Sequence, residues 1–281
     1  MNDDLSDAAL VLVGHGSTVN ADSSAPVYQQ AAALRAGRRF AHVHQAFWKQ
    51  APFVTEVTRT VDAPRVFIVP FFISDGYFSD EVIPRELGFG PRERPDAPRL
   101  QRRGRQTLYY CRAVGSHPSM TRVILARAAD VVAKYPFPRP PKPAETALFI
   151  AGHGTDRNEN SRQAVESQVE WIRSQKFYTA VHGVYLEEAP RIGDCYRMTT
   201  ARNLVVVPFF ISDGVHTQRD IPVLLGAPRR VIEARATGGQ PPWRNPTEQQ
   251  GKWLWYASSV GSEPCLAEVI VERVFEAAEP R

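Results

Sequence analysis

The chain has 281 residues, 43% of them apolar, and a formal net charge of +4 from 34 basic residues that are mostly arginine. Two globular domains of ordinary size fit that length, and no apolar run reaches the roughly 18 residues that a membrane span needs. Cys111, Cys195 and Cys265 lie far apart with no CxxC pair, so a cysteine metal cluster and a disulfide framework are both excluded and three small buried hydrophobes are expected.

Met1 to Asp7 is polar and acidic, the reverse of a secretory leader, and a cytoplasmic protein is the expectation. A first strand is predicted over Leu10 to Val13, followed at once by Gly14-His15-Gly16. A helix over Ala25 to Arg39, a strand over Val43 to Trp48, a helix over Pro52 to Thr60 and a strand over Val66 to Val69 come next. A strand over Thr107 to Cys111 and a helix over Pro118 to Lys134 complete this half. The basic, proline-rich stretch Arg92 to Arg105 reads as a loop. No other dense basic tract exists, so nucleic acid is not expected as a partner. Strands apolar on both faces that alternate with helices indicate a parallel sheet covered on both sides, a small doubly wound α/β domain.

The same series then returns. After "YPFPRPPKPAE" (Tyr135 to Glu145), whose prolines favour an extended spacer, residues 147–227 align with residues 9–89 without a gap. "LVLVGHGS" falls on "LFIAGHGT", and "VPFFISDG" occurs unchanged at Val69 to Gly76 and at Val207 to Gly214. Past a shift of register, "VGSHP" from Val114 matches "VGSEP" from Val260. The chain is an internal duplication, with a first repeat over 1–136 and a second over 137–281. Ligands of such sheets bind at the carboxyl ends of the strands, and two such domains facing each other would form a cleft.

The candidate chemistry lies at those ends. His15 and His153 follow the first strand of each repeat between glycines that permit a tight turn and close approach. His216 follows the third strand of the second repeat and can join His153 as a neutral imidazole ligand of one ion. Asp220, four residues on, suits an acceptor that orients the His216 ring, or a cap on the helix that begins at Ile221. Glu187 and Glu188 follow the second strand and offer a carboxylate as ligand or proton acceptor. The first repeat carries Lys49 and Gln50 for the two glutamates, Phe78 for His216 and Val82 for Asp220. Its framework stays while its polar groups are lost together, the pattern of one site kept and one abolished. His44 and His182 match in both repeats and read as structural. A histidine phosphatase would place an arginine just before the first histidine, where Gly14 and Gly152 stand, and no GxxxxGK[ST] phosphate loop exists.

Gly-His-Gly after the first strand, "LEEAP" after the second and "PFFISDGVHTQRDIP" after the third resemble the CbiX/SirB sirohydrochlorin chelatases in their long, two-domain form. The resemblance implies ATP-independent insertion of Co²⁺ or Fe²⁺ into sirohydrochlorin, in cobalamin or siroheme biosynthesis, with no nucleotide. It places the metal on His153, His216 and Glu187, with Glu188 as the alternative carboxylate, and gives His15 no metal role. His15 is then expected to contact the macrocycle, and Phe78 either packs on the macrocycle or serves as a core aromatic. The arginine excess suits a poly-carboxylate substrate, and one duplicated chain suggests a monomer. The rival expectation is a carrier that binds tetrapyrrole or metal without catalysis.

Overall fold

A computed structural model describes residues 4–18, 23–93, 99–154 and 159–278. Each repeat builds a five-stranded sheet around its own first strand. In the first, β1 (Ala8–Gly14) is buried along its whole length and lies between β2 (His42–Phe47) and β3 (Arg65–Pro70). These three pair in parallel, and β5 (Gln106–Tyr110) extends the parallel ladder beyond β3. The antiparallel β4 (Arg99–Arg103) closes the edge. The second repeat reproduces this order with β6 (Thr146–Gly152) flanked by β7 (Ala180–Tyr185) and β8 (Asn203–Pro208), then β10 (Lys252–Tyr256) and the antiparallel β9 (Thr247–Gln249). The fold is therefore two mixed α/β sheets, parallel except for one edge strand each.

The loop expected over Arg92 to Arg105 thus contains β4. Its pattern is inverted: Arg99, Gln101 and Arg103 are half-buried while Leu100 is 59% exposed. The inward arginines find fixed acceptors, Arg99 on Asp80 and Arg103 on the Thr58 carbonyl. An apolar-in, polar-out alternation is what sequence patterning detects, so a strand with arginine facing inward reads as loop.

Helices α1 (Ala25–Ala36), α2 (Val54–Thr60), the single turn α3 (Ile83–Glu86) and α4 (Met120–Lys134) belong to the first repeat. Helices α5 (Glu159–Ser174), α6 (Ile221–Leu224), α7 (Arg229–Thr237) and α8 (Leu266–Ala278) belong to the second. Among the described residues no helix is long and apolar enough to cross a membrane.

Repeat and compact unit differ by the exchange of two helices, α4 and α8. The first unit comprises residues 1–120 with 264–281, and the second comprises 121–263. Helix α8 therefore packs on β3, β5 and α1, whereas the boundary expected at residue 136 would assign it to the second sheet. Each exchanged helix is pinned by an arginine at a matching position. Arg273 of α8, almost fully buried, donates to the Ala113 carbonyl and to Ser116 Oγ at 3.0 and 2.8 Å. Arg127 of α4 donates to the Ser259 carbonyl and to Ser262 Oγ at 2.9 and 2.6 Å.

Candidate functional site

Three strand ends of the second unit supply the predicted groups. His153 follows β6, Glu187 and Glu188 follow β7, and His216 opens a π-helical turn (His216–Asp220) beyond β8. Such turns widen the helix by one residue and recur at functional sites. The Gly-His-Gly turn is tight for a packing reason. Gly154 has φ +64°, and a Cβ there would lie 2.7 Å from Glu188 Cγ and 2.9 Å from Tyr185 Cβ. Only glycine fits both the left-handed backbone and the space.

The two imidazoles meet edge to face, with ring centroids 5.0 Å apart and planes at 85°. Each has its Nδ1 committed. His153 Nδ1 lies 2.8 Å from the Gly154 carbonyl oxygen, and His216 Nδ1 lies 2.8 Å from Asp220 Oδ2. Both partners only accept, so each Nδ1 carries the proton and each Nε2 keeps a lone pair. An ion shared by the two rings would be held through these Nε2 atoms, the only ring nitrogens left without a partner. Phe210 borders both rings, 6.5 Å from His153 and 6.2 Å from His216.

The two glutamates have different surroundings. Glu187 is more than half exposed, with Oε2 3.8 Å from His153 Nδ1. Glu188 is largely buried, accepts from Arg162 Nη1 at 2.7 Å and lies beneath the Gly154 turn. Arg162 in turn stacks over the Tyr185 ring at 5.1 Å. Asp220 makes no side-chain cap on α6, so of its two expected roles the structure shows ring orientation and not capping. Among the described residues no group of three or more histidine, cysteine, aspartate or glutamate side chains is placed to hold a metal ion together. The site is an open pair of imidazoles with a carboxylate at its rim.

The first unit keeps the frame and loses the donors. His15 Nδ1 lies 2.9 Å from the Gly16 carbonyl oxygen, as in its counterpart. Phe78 stands where His216 does, 4.9 Å from the His15 ring at 81°. Trp48 packs 4.8 Å from Phe78 and 5.5 Å from His15, and Lys49 Nζ lies 5.2 Å over the Trp48 ring. Burial, and then the Lys49 charge, lower the His15 pKa against the pull of the Gly16 carbonyl. One imidazole in an aromatic cluster stands where the second unit has its imidazole pair. Gln50, the counterpart of Glu188, accepts from the Ser17 N–H at 2.8 Å.

His182 stacks on Phe149 at 5.3 Å, and burial lowers its pKa. His44 lies beside His42 on the edge strand β2, with ring centroids 6.1 Å apart. Cys111 and Cys195 are buried, with thiols pushed up to about 12, but Cys265 is only half-buried, because the helix it precedes leaves it at the surface. Sequence reasoning missed Phe210, Trp48 and Arg162. Phe210 lies in the repeated octapeptide, so its signal was available. Arg162 replaces Ser24 of the first repeat, a charge that enters the second repeat together with its acids.

The family model CbiX matches residues 9–131 and 147–277. A probable sirohydrochlorin cobaltochelatase of Halobacterium salinarum is 38% identical over 97% of this chain and 92% of its own. The solved structure of DR2241 from Deinococcus radiodurans, a multi-domain protein with structural similarity to chelatases, has a TM-score of 0.79 at 28% identity. That match covers 98% of this chain and 56% of DR2241, so the chain spans little more than half of it. SirB from Bacillus subtilis with Fe³⁺ shares the fold at a TM-score of 0.64 and 15% identity, over 97% of this chain and 96% of SirB.

Proposed function

The chain belongs to the CbiX family, and from that premise we propose that it inserts a divalent metal ion, Co²⁺ or Fe²⁺, into sirohydrochlorin without ATP. One observation carries the reading: His153 and His216 lie 5.0 Å apart with both Nδ1 atoms engaged, which leaves two Nε2 lone pairs for an incoming ion. Metal here is substrate, so it must be held loosely enough to leave. Two imidazoles and one carboxylate leave coordination positions open to the macrocycle nitrogens.

The roles follow from the surroundings. His153 and His216 hold the ion. Two pyrrole protons must leave as it enters, and Glu187, exposed enough to exchange protons with water, completes the ligand set or accepts one of them. Glu188, held by Arg162, supports the turn that carries His153. Asp220 fixes the His216 ring. In the first unit, His15 and Phe78 with Trp48 present an aromatic surface suited to a macrocycle face. Arginines meet the substrate carboxylates, and one chain acts as a monomer without nucleotide.

The test mixes metal-free protein with sirohydrochlorin and Co²⁺ and follows the absorption spectrum. A metallated spectrum that grows catalytically is expected. Stoichiometric binding with no acceleration over the protein-free rate would leave a carrier and end the catalytic reading.

A further inference from the structure

We infer that the second unit carries a pocket for a guanidinium cation, separate from the imidazole pair. The inference rests on comparing the two units and not on the chelatase reading. In the first unit, Asp75 of the repeated octapeptide is surrounded by donors. Arg112 holds Asp75 Oδ2 through Nη2 and Nε at 2.9 and 3.1 Å, Ser116 Oγ donates to the same oxygen at 2.8 Å, and the Ala113 N–H donates to Oδ1 at 2.8 Å. The matching carboxylate in the second unit is Asp213, which receives the Ser259 N–H at 3.1 Å. Ser258 stands where Arg112 does, because β5 and β10 match residue for residue and each is followed by the Val-Gly-Ser turn. The guanidinium is gone and its carboxylate remains.

A cavity of about 90 Å³ opens at this place, lined by Asp213, Ser258, Asp130, Gln218, Trp243 and Tyr256 among others. It lies at the carboxyl ends of β8 and β10, the edge where ligands of such sheets bind. A second trimming enlarges it. Asp130 of α4 matches Glu276 of α8, whose longer side chain reaches Arg273 at 2.6 Å. The cavity is far below the ~300–1,000 Å³ of sites for larger organic ligands, but a single planar headgroup fits it.

Its chemistry selects a cation. Arg127, also in the wall, is paired with Glu263 at 3.3 Å and has its remaining donors engaged by the Ser259 carbonyl and Ser262 Oγ. Beyond that pair, two carboxylates face one exposed lysine, Lys134. Trp243 and Tyr256, both almost fully buried, line it as well, and a planar, weakly hydrated guanidinium is lodged beside such rings at less cost than a strongly hydrated ammonium. The sister carboxylate already binds that group through two of its nitrogens.

Calorimetric titration of the full-length protein with methylguanidinium, at concentrations far below denaturing ones, tests the proposal against urea as a neutral isostere. Saturable binding is expected for methylguanidinium and none for urea. Asp213→Asn removes the charge from the acceptor and should weaken binding about tenfold or more. Ser258→Arg supplies the guanidinium in place, as Arg112 does, and should abolish binding. A capped arginine amide that binds more tightly than methylguanidinium would point to an arginine of a polypeptide as the source, and equal affinity to a free small cation. Methylguanidinium heats no larger than those of urea, or unchanged binding in folded Asp213→Asn, would overturn the proposal even if Ser258→Arg fails to fold.

Discussion

If the first unit is a copy whose site was abolished, restoring its donors should restore an ion site. Phe78 sits 4.9 Å from His15 at 81°, against 5.0 Å and 85° for His216 and His153. Phe78→His would therefore bring a second imidazole to His15 at the ring distance and angle of the His153–His216 pair. Phe78→His keeps a ring in the cluster but loses part of its packing on Trp48 and Tyr77, at about 1–2 kcal/mol. Lys49→Glu removes the ammonium over Trp48, worth about 0.5–1 kcal/mol, and supplies the carboxylate. The fold should survive both. Val82 still occupies the place of Asp220, so the new ring lacks an orienting acceptor, and affinity should fall about 10–100-fold below the native site. Cobalt titration by calorimetry is cleanest in a His153→Ala background, which silences the second unit. That single variant should bind no cobalt tightly, and His153→Ala/Lys49→Glu/Phe78→His should bind one ion per chain within that affinity range. No binding, or binding more than about a hundredfold weaker than wild type, would refute the idea that donor geometry alone separates the units.

Other outcomes follow from the same contacts. Asp220→Asn, which leaves the His216 ring without its charged acceptor, should raise the Michaelis constant for cobalt about tenfold or more and leave that for sirohydrochlorin unchanged; wild-type cobalt dependence would remove Asp220 from the site. His15→Ala should raise the Michaelis constant for sirohydrochlorin while equilibrium dialysis still finds one cobalt per chain, and loss of that ion would move the metal site to the first unit. Arg273→Met should destabilise the protein in urea by about 3 kcal/mol, the lower end for breaking a buried pair, because Glu276 keeps His117 and Ser116 keeps Asp75; a loss below about 1 kcal/mol would mean that the arginine does not pin α8. Burial pushes Glu276 up, but its bond to His117 and the Arg273 charge outweigh that and hold it at about 2. Its stabilisation is thus complete above the ordinary carboxylate range near 4.3 and is lost as pH falls through about 2. The urea midpoint should drop over that window in wild type and less in Glu276→Gln.

The residues that the structure gathers at the candidate site are largely legible in the sequence, for a specific reason. Two copies of one frame make substitutions visible without relatives, and Phe78 against His216 or Lys49 against Glu187 is a difference that common packing cannot explain. The parallel sheet was legible because β1, β3, β6 and β8 are apolar on both faces, as central parallel strands must be. What stayed hidden has physical causes. β4 faces arginine inward, and its partners Asp80 and the Thr58 carbonyl lie far away in sequence. The different surroundings of Glu187 and Glu188 depend on Arg162, 26 residues from Glu188, which no spacing rule links to the strand end.

The exchange of α4 and α8 was the hardest feature to see, since a repeat offers two equivalent answers. Arg127 and Arg273 match, as do the two Val-Gly-Ser turns they bind, so the same hydrogen bonds would form whichever helix covered whichever sheet. The neighbouring charges differ. The first sheet presents His117, which lies 3.6 Å from Glu272 and 3.3 Å from Glu276, both on α8. At the matching positions α4 carries Ala126 and Asp130, which offer one short carboxylate instead of two long ones. The second sheet presents Glu263 in the place of His117, paired with Arg127 of α4 at 3.3 Å. Were α8 to cover the second sheet, Glu263 would face Glu272 and Glu276, and three carboxylates would crowd around one arginine. Like charges at that distance disfavour ionisation and compactness alike. His117 would meanwhile lose both glutamates. The choice of sheet therefore follows from the side chains at three positions per repeat, on a frame that the duplication left indifferent.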